Sequence, residues 1–220
     1  MTKLYGSIAS PYVARVVMYA KLKGVDLPLA EPPGGMKSPE SLKLNPMGKI
    51  PILDVDGQGI GESSVICDYL DDVYTQKSGL PADPFGRARS RLVARIIDLY
   101  LVQHVGPLFR QMNPEKRDQA AVDAAAKEIA KAYGYIEQVM DSGPFCVGKE
   151  PTLGDCALST VTAMMHQVLA AGNFGIADPV GSGRLASWWK AVQGHAVCAA
   201  VISEHNTAFG GFIKMMAGKK

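Results

Sequence analysis

Residues 45–64 read Asn-Pro-Met-Gly-Lys-Ile-Pro-Ile-Leu-Asp-Val-Asp-Gly-Gln-Gly-Ile-Gly-Glu-Ser-Ser, and no other stretch narrows the fold as far. An X-Pro step is the one peptide bond at which the cis form costs only about 0.5–1 kcal/mol, and Ile50-Pro51, set between a Gly-Lys turn and an apolar run, is a candidate for it. Pro51 cannot donate to a sheet ladder, which leaves the backbone of Ile50 to pair with another extended chain. A strand over 52–55, an Asp56-Gly57 turn and a second short strand near Ile60 come next. Apolar residues then recur at Val65, Ile66, Tyr69, Leu70 and Val73, which is helical spacing. Ser63 stands where an N-cap belongs, and a helix start offers spare N–H groups and a positive dipole end to a carboxylate. The run thus provides for one extended peptide backbone and one carboxylate.

The 220 residues are 47% hydrophobic and 20% charged, enough to bury a proper core and too apolar for a disordered chain. A net charge of +2 gives no general case for nucleic acid. No stretch of about 18 uninterrupted apolar residues occurs, and Met1-Thr2-Lys3-Leu4-Tyr5 leads into a strand and not into the apolar core of a signal peptide, so a cytoplasmic protein is expected. Cys67, Cys146, Cys156 and Cys198 show neither Cys-x-x-Cys nor paired-His spacing, and no metal site is expected. Cys67 lies in the first turns of a helix, where a thiol pKa can fall, but its neighbours Val65, Ile66 and Leu70 favour core packing.

The pattern divides the chain into a first domain over 1–76 (strand, helix, strand, hairpin, helix), a linker over 77–85 rich in Gly and Pro, and a helical domain over 86–220. Val13, Val16, Val17 and Ala20 give the first helix one buried stripe, ended by Gly24. Helices are expected near 86–111, 117–141, 153–171, 183–192 and 195–204. Thr152 and Asp155 are spaced as a reciprocal capping box for the third of these, a folding device worth about 1 kcal/mol as a local cap. Arg87, Arg89, Arg91 and Arg95 form a basic run that reads as a solvated or subunit-facing helix. The Gly-rich tail from Asn206 to Lys220 either covers a cleft or frays, with fraying expected at its end.

At these residues the chain resembles the glutathione transferases, and the likeness covers nearly its whole length. Ile50-Pro51 resembles the cis-proline loop that pairs with the cysteinyl unit of glutathione, and Glu62-Ser63 the pair that holds its γ-glutamyl end. Residues 4–16, Leu-Tyr-Gly-Ser-Ile-Ala-Ser-Pro-Tyr-Val-Ala-Arg-Val, resemble the first strand, catalytic loop and first helix of the serine-type classes, most closely the tau class. Pro151-Thr152-Leu153-Gly154-Asp155-Cys156-Ala157 resembles the start of the central helix of the second domain. The resemblance implies an α/β thioredoxin-like N-terminal domain followed by an all-α C-terminal domain, glutathione as co-substrate, a small hydrophobic electrophile as its partner in the reaction, and a homodimer.

Such chemistry needs a thiolate, whereas a free thiol of pKa about 8.5 is mostly protonated at neutral pH. A hydroxyl donating to the sulfur, and a helix start aimed at it, both favour the anion. Ser10, just ahead of Pro11 and the first helix, is the expected catalytic hydroxyl, with Ser7 as its rival in the same loop. Lys37 and Lys49 are candidates for binding the anionic co-substrate and fit equally as solvated loop lysines. Tyr12, Tyr100, His104 and His166 are candidate walls of the electrophile pocket. Two other activities are less well matched. The omega class carries cysteine where Ser10 stands, and the zeta-class isomerases carry Ser-Ser-Cys where this chain has Ser10-Pro11-Tyr12, with an arginine at the position of Gln167. A scaffold that keeps the groove without turnover is the remaining alternative.

Overall fold

The computed structural model describes residues 2–217. Its first half is built on a four-stranded mixed sheet in the order β2-β1-β3-β4. Strand β1 (Thr2–Tyr5) runs parallel to β2 (Leu29–Ala30) and antiparallel to β3 (Ile52–Val55), which forms a hairpin with β4 (Gln58–Ile60). The register sets Leu4 opposite both Leu29 and Leu53. Leu4 and Leu53, on the two central strands, are wholly buried. Helix α1 (Pro11–Lys23) follows β1 and ends at Gly24, whose left-handed φ of 75° lets its N–H reach the Ala20 and Lys21 carbonyls.

The apolar spacing predicts one buried stripe on α1, yet Ala14, Arg15, Met18 and Tyr19 are buried as well. The cause is position: α1 packs on α3 (Ser63–Val73) of its own domain and on α7 (Leu153–Gly172) and α9 (Ala196–Ala217) of the helical half, so it has no solvent face to spare. Helix α2 (Pro39–Leu44) is not among the elements expected from the sequence. Its signal is Ser38-Pro39, since the Ser38 hydroxyl accepts the Ser41 N–H at 3.0 Å and proline occupies the first helical position.

Residues 74–83 carry no helix or strand, and α4 (Pro84–Ile96) opens the helical half under an Asp83 cap. The single helix expected over 86–111 is interrupted: a π-helical turn over Ile97–Leu101 joins α4 to α5 (Val102–Arg110). By length and composition Pro84–Arg110 could cross a membrane. Here Val93, Ile97, Leu101 and Leu108 enter the core, with α6 (Gln119–Val139) and α7 packed against them. Helix α8 (Gly183–Gly194) precedes α9, which continues far beyond the expected end at 204. Two consecutive glycines cost a helix about 2 kcal/mol relative to alanine. Burying Phe209 and packing Ile213 on the core offsets that cost. Gly210 has a further reason, since a Cβ there would come 3.0 Å from Gln167 Oε1. The fraying expected at the extreme end falls on residues 218–220, outside the described residues.

The box that starts α7 does more than cap. Asp155 is wholly buried and accepts from the Thr152 N–H and hydroxyl, the Cys146 N–H and the Trp188 Nε1–H, all within 2.9 Å. Asp155→Ala strands several buried donors at once and is expected to cost roughly 3–5 kcal/mol in urea unfolding, against about 1 kcal/mol for a lone cap. A loss of only the smaller size would show that these donors find other partners.

Candidate active site

The loop between β1 and α1 is fixed at both ends by its backbone. The Gly6 N–H reaches the Ala30 carbonyl, and the Ala14 N–H reaches the Ser10 carbonyl, each at 2.9 Å. Gly6 lies at φ 150°, and a Cβ there would stand 2.6 Å from Val13 Cγ2, so only glycine lets the chain turn this close to α1. Within the loop the Ser10 N–H bonds the Ser7 carbonyl, and the Ser7 hydroxyl accepts the Ala9 N–H. Ser10 is the N-cap of α1, yet its hydroxyl makes no capping bond. Of the two rival serines, Ser7 accepts an N–H within its own turn and keeps its O–H free to donate, and Ser10 makes no capping bond at all.

Across the groove, Asn45 shapes the second loop by donating to the Lys49 carbonyl at 2.8 Å and accepting the Met47 N–H. Gly48 takes φ 62°, and the Ile50-Pro51 bond is cis, as the run of residues predicts. The start of α3 departs from expectation. Glu62, at φ 63°, is the N-cap, and Ser63 is the first helical residue. Ser63 is buried because its hydroxyl accepts from Arg15, at 3.0 Å.

Arg15 is a site residue that the sequence does not announce. Its guanidinium, 0% exposed, donates to Ser63 Oγ, to Ser64 Oγ at 3.1 Å and to both oxygens of Asp98, at 2.6 and 3.1 Å. The ring of Tyr12 lies over it at 5.2 Å. Burial alone would depress the Arg15 pKa, but the Asp98 carboxylate holds it above its ordinary value. Burial, and then Asp98, raise the Tyr12 phenol, so its hydroxyl stays protonated. Cys67 is settled as a core residue: it is wholly buried, and burial pushes its thiol well up against the opposing pull of Arg15. The sequence holds one signal for Arg15, an arginine one position from an apolar stripe, and that pattern ordinarily marks a solvated face.

These parts enclose two adjoining clefts that share Ile50. One, of about 250 Å³, is polar: Tyr12, Lys49, Pro51 and Glu62 line it from the first domain, and Arg95, Asp98 and Leu99 from the second. The other, of about 330 Å³, is apolar: Ser7, Ala9, Ser10 and Pro11 face Phe209 and Phe212 of α9. The tail therefore covers a cleft, which is one of the two outcomes expected for it.

The remaining candidates fall elsewhere. Lys37 is exposed, with its methylenes beside Gly48, and lines neither cleft. Tyr100 is exposed and meets Tyr135 edge-on at 6.2 Å, and His104 on α5 is half-buried; neither borders the clefts. Tyr100 lies inside the π turn and His104 beyond it, which breaks the i, i+4 face on which regular helical spacing would pair them. His166 bonds Asp178 at 2.9 Å and packs edge-on against Trp189, also away from both clefts. Of the basic run, Arg87 and Arg89 bind the Ala82 and Val139 carbonyls, Arg91 pairs with Asp68, and Arg95 faces the polar cleft. Among the described residues, no cluster of His, Cys, Asp and Glu could hold a metal ion.

Two family descriptions match the chain: Glutathione S-transferase, N-terminal domain, over residues 4–78, and Glutathione S-transferase, C-terminal domain, over 119–191. A "Probable glutathione S-transferase" of Glycine max is 33% identical over 156 residues, 70% of this chain and 67% of that protein. The chain belongs to the glutathione S-transferase family. Glutathione is the co-substrate of that family, and its glutathione-binding domain is present here. A "Maleylacetoacetate isomerase" of Pseudomonas aeruginosa is 31% identical over 185 residues, 80% of this chain and 84% of that one. Among solved structures, a tau-class glutathione S-transferase from mango, Mangifera indica, superposes with a TM-score of 0.80 at 27% identity, covering 97% of each chain. The sheet-bearing half and the helical half correspond to the transferase fold.

Breaking the buried pair at Arg15 leaves the Asp98 carboxylate without its charge partner and two serine hydroxyls without their donor. Arg15→Met is expected to lower stability by about 3 kcal/mol in urea unfolding. Arg15→Met/Asp98→Leu should fall short of the sum of the single losses by at least about 1 kcal/mol. Additive losses would mean that the two side chains do not act as a unit.

Proposed function

We propose that this transferase ionises the thiol of glutathione against the Ser10 hydroxyl and directs the thiolate at a small hydrophobic electrophile. In this reading the polar cleft takes the tripeptide. Ile50 pairs with its cysteinyl backbone, Glu62 takes the γ-glutamyl end with Ser63 behind it, buried and lining neither cleft, at the helix start, and Lys49 faces the glycine carboxylate; Lys37, beside Gly48, adds to the positive field from outside the cleft. Ser10 donates to sulfur, and the N–H groups at the start of α1 add their dipole. A shift of two pKa units corresponds to about 2.7 kcal/mol, within reach of one charge-assisted hydrogen bond and a helix start. The thiolate then forms a carbon–sulfur bond in the apolar cleft beside Phe209 and Phe212, and the leaving group departs with its electron pair.

The observation that carries this reading is the N-cap hydroxyl of Ser10, which makes no capping bond and stands at the start of α1 on the rim of an apolar cleft. Isomerisation has support in the relative named above, but the loop lacks cysteine, and Gln167, which stands where an arginine is expected, donates its amide to Asn206 on α9. Four buried cysteines without disulfides suit the reducing cytoplasm, where we place the protein and a role in detoxification.

Ser10→Ala is expected to raise the pKa of bound glutathione by about 1–2 units and to lower kcat at pH 7 about 10–100-fold. The KM for glutathione should stay within about threefold, because the lost interaction is made chiefly with the anion. Thiolate absorbance of the complex against pH, beside conjugation rates for a panel of haloaromatics and aryl ethers, measures both. If Ser7→Ala has these effects and Ser10→Ala does not, the activating hydroxyl is Ser7. If the unmodified protein binds no glutathione at millimolar concentration, the scaffold reading replaces this one.

We also propose a homodimer. Phe85 is 73% exposed at the start of α4, with Leu92 and Leu99 exposed beyond it, and Val65 and Val73 exposed on neighbouring α3. A second copy of the chain would cover this apolar face. Phe85→Asp is expected to convert a dimer to a monomer in sedimentation velocity. A wild-type protein that sediments as a monomer at micromolar concentration would refute the assignment.

A further inference from the structure

His205 lies on α9, 197 residues along the chain from Ile8, and is 0% exposed. Its Nδ1 stands 2.9 Å from the Ile8 carbonyl in the middle of the loop that carries Ser10. A carbonyl oxygen only accepts, so Nδ1 carries the hydrogen and Nε2 keeps the lone pair. That Nε2 is buried with no partner, a cost the fold bears at this position. The ring stacks on Phe209 with 5.6 Å between centroids and an interplanar angle of 16°, and Phe209 in turn lines the apolar cleft beside Ser10.

A phenylalanine would fill the same stack without an orphaned nitrogen, so what the imidazole adds is the donor to Ile8. The loop has need of one. Its ends are tied to Ala30 and Ala14, but the bonds made by Ser7 and Ala9 are internal to it. Among the described residues, the bond from His205 is the one hydrogen bond that joins residues 7–9 to anything outside the loop. Burial lowers the pKa of the imidazole despite the Ile8 bond, so the ring is neutral at pH 7 and costs no buried charge.

We infer that His205 is a positioning residue for Ser10, its Nδ1–H clamping the Ile8 carbonyl so that the serine hydroxyl is held where α9 closes the cleft. The inference rests on the assignment of Ser10 as the thiol-activating hydroxyl. It makes the helical domain a direct contributor to thiol activation and not merely a wall for the electrophile.

Three full-length variants separate donor from ring. His205→Phe keeps the stack and loses the donor, His205→Asn places an amide N–H near the Nδ1 position, and His205→Gln places it near Nε2. His205→Phe is expected to raise the bound-glutathione thiol pKa by about 0.5–1 unit and to lower kcat about 3–10-fold at pH 7, with the KM for glutathione within about twofold. His205→Asn should recover most of the loss and His205→Gln little of it. Wild-type thiol pKa and kcat in His205→Phe, or equal losses in the asparagine and glutamine variants, would overturn the inference. Ser10→Ala run in parallel distinguishes the two failures: if it shifts the thiol pKa and His205→Phe does not, only the role of His205 falls; if it shifts nothing, both fall. A test that needs no variant is the 15N imidazole spectrum of the unmodified protein. It should show the Nδ1–H tautomer at His205, and an Nε2–H tautomer there would refute the clamp even if His205→Phe failed to fold.

Discussion

A guanidinium with no solvent exposure must find its partners inside the protein, and the folding of this chain around the site depends on how Arg15 finds them for both terminal nitrogens while its Nε stays buried without one. Removing a charge from water costs several kcal/mol unless a counter-charge and well-placed hydrogen bonds replace the lost hydration. Asp98 supplies the counter-charge from the π turn, and Ser63 and Ser64 supply acceptors from the start of α3. Two segments distant in sequence are thus held to one planar group on α1. The π turn fits this demand, since an extra residue in the helical ladder rotates the next stretch of helix about its axis, and such turns recur at functional sites.

The consequence is a groove with two characters. On the side of Arg15 it is polar and charged with both signs, which suits a zwitterionic peptide; on the side of α9 it is apolar. Ile50 borders both, and Ser10 sits at the apolar rim with the helix start behind it. A thiolate held there would be stabilised from one direction and face its electrophile in the other, beside two phenylalanine rings. Separating the binding surface from the reacting surface lets one change while the other is kept.

Legibility in the sequence divides along a physical line. Local rules carry the elements that depend on neighbours in the chain: the turn and cis bond at 48–51, the Gly24 stop, and the Thr152-Asp155 box all lie where residue types demand them. The failures sit where distant segments meet. Nothing near Arg15 announces that α1 is covered on both faces, and residues 206–217 read as a Gly-rich tail and not as helix because the packing of Phe209 and Ile213 is invisible from composition. Residue type favours Ser63 for the cap that belongs to Glu62, because a glutamate with a left-handed φ is not an expected cap. Tyr100, His104 and His166 stand out in the sequence as polar aromatics on helices, a criterion that ignores which face a π turn or a neighbouring helix leaves open.

The position of Phe209 and Phe212 also gives the site a history. Synthesis runs from the N-terminus, and domains generally fold in that order. The sheet, the cis-proline loop and the start of α3 all precede residue 74, so a nascent chain makes one wall of the polar cleft early, and Arg95, Asp98 and Leu99 complete it soon after. The wall opposite Ser10 is built from residues made more than a hundred positions later. Until α9 docks, a thiolate formed at Ser10 would stand open to solvent and to any passing oxidant or electrophile. If Ser10 activates the thiol as proposed, late closure would confine reactive sulfur chemistry to chains whose translation has already passed α9.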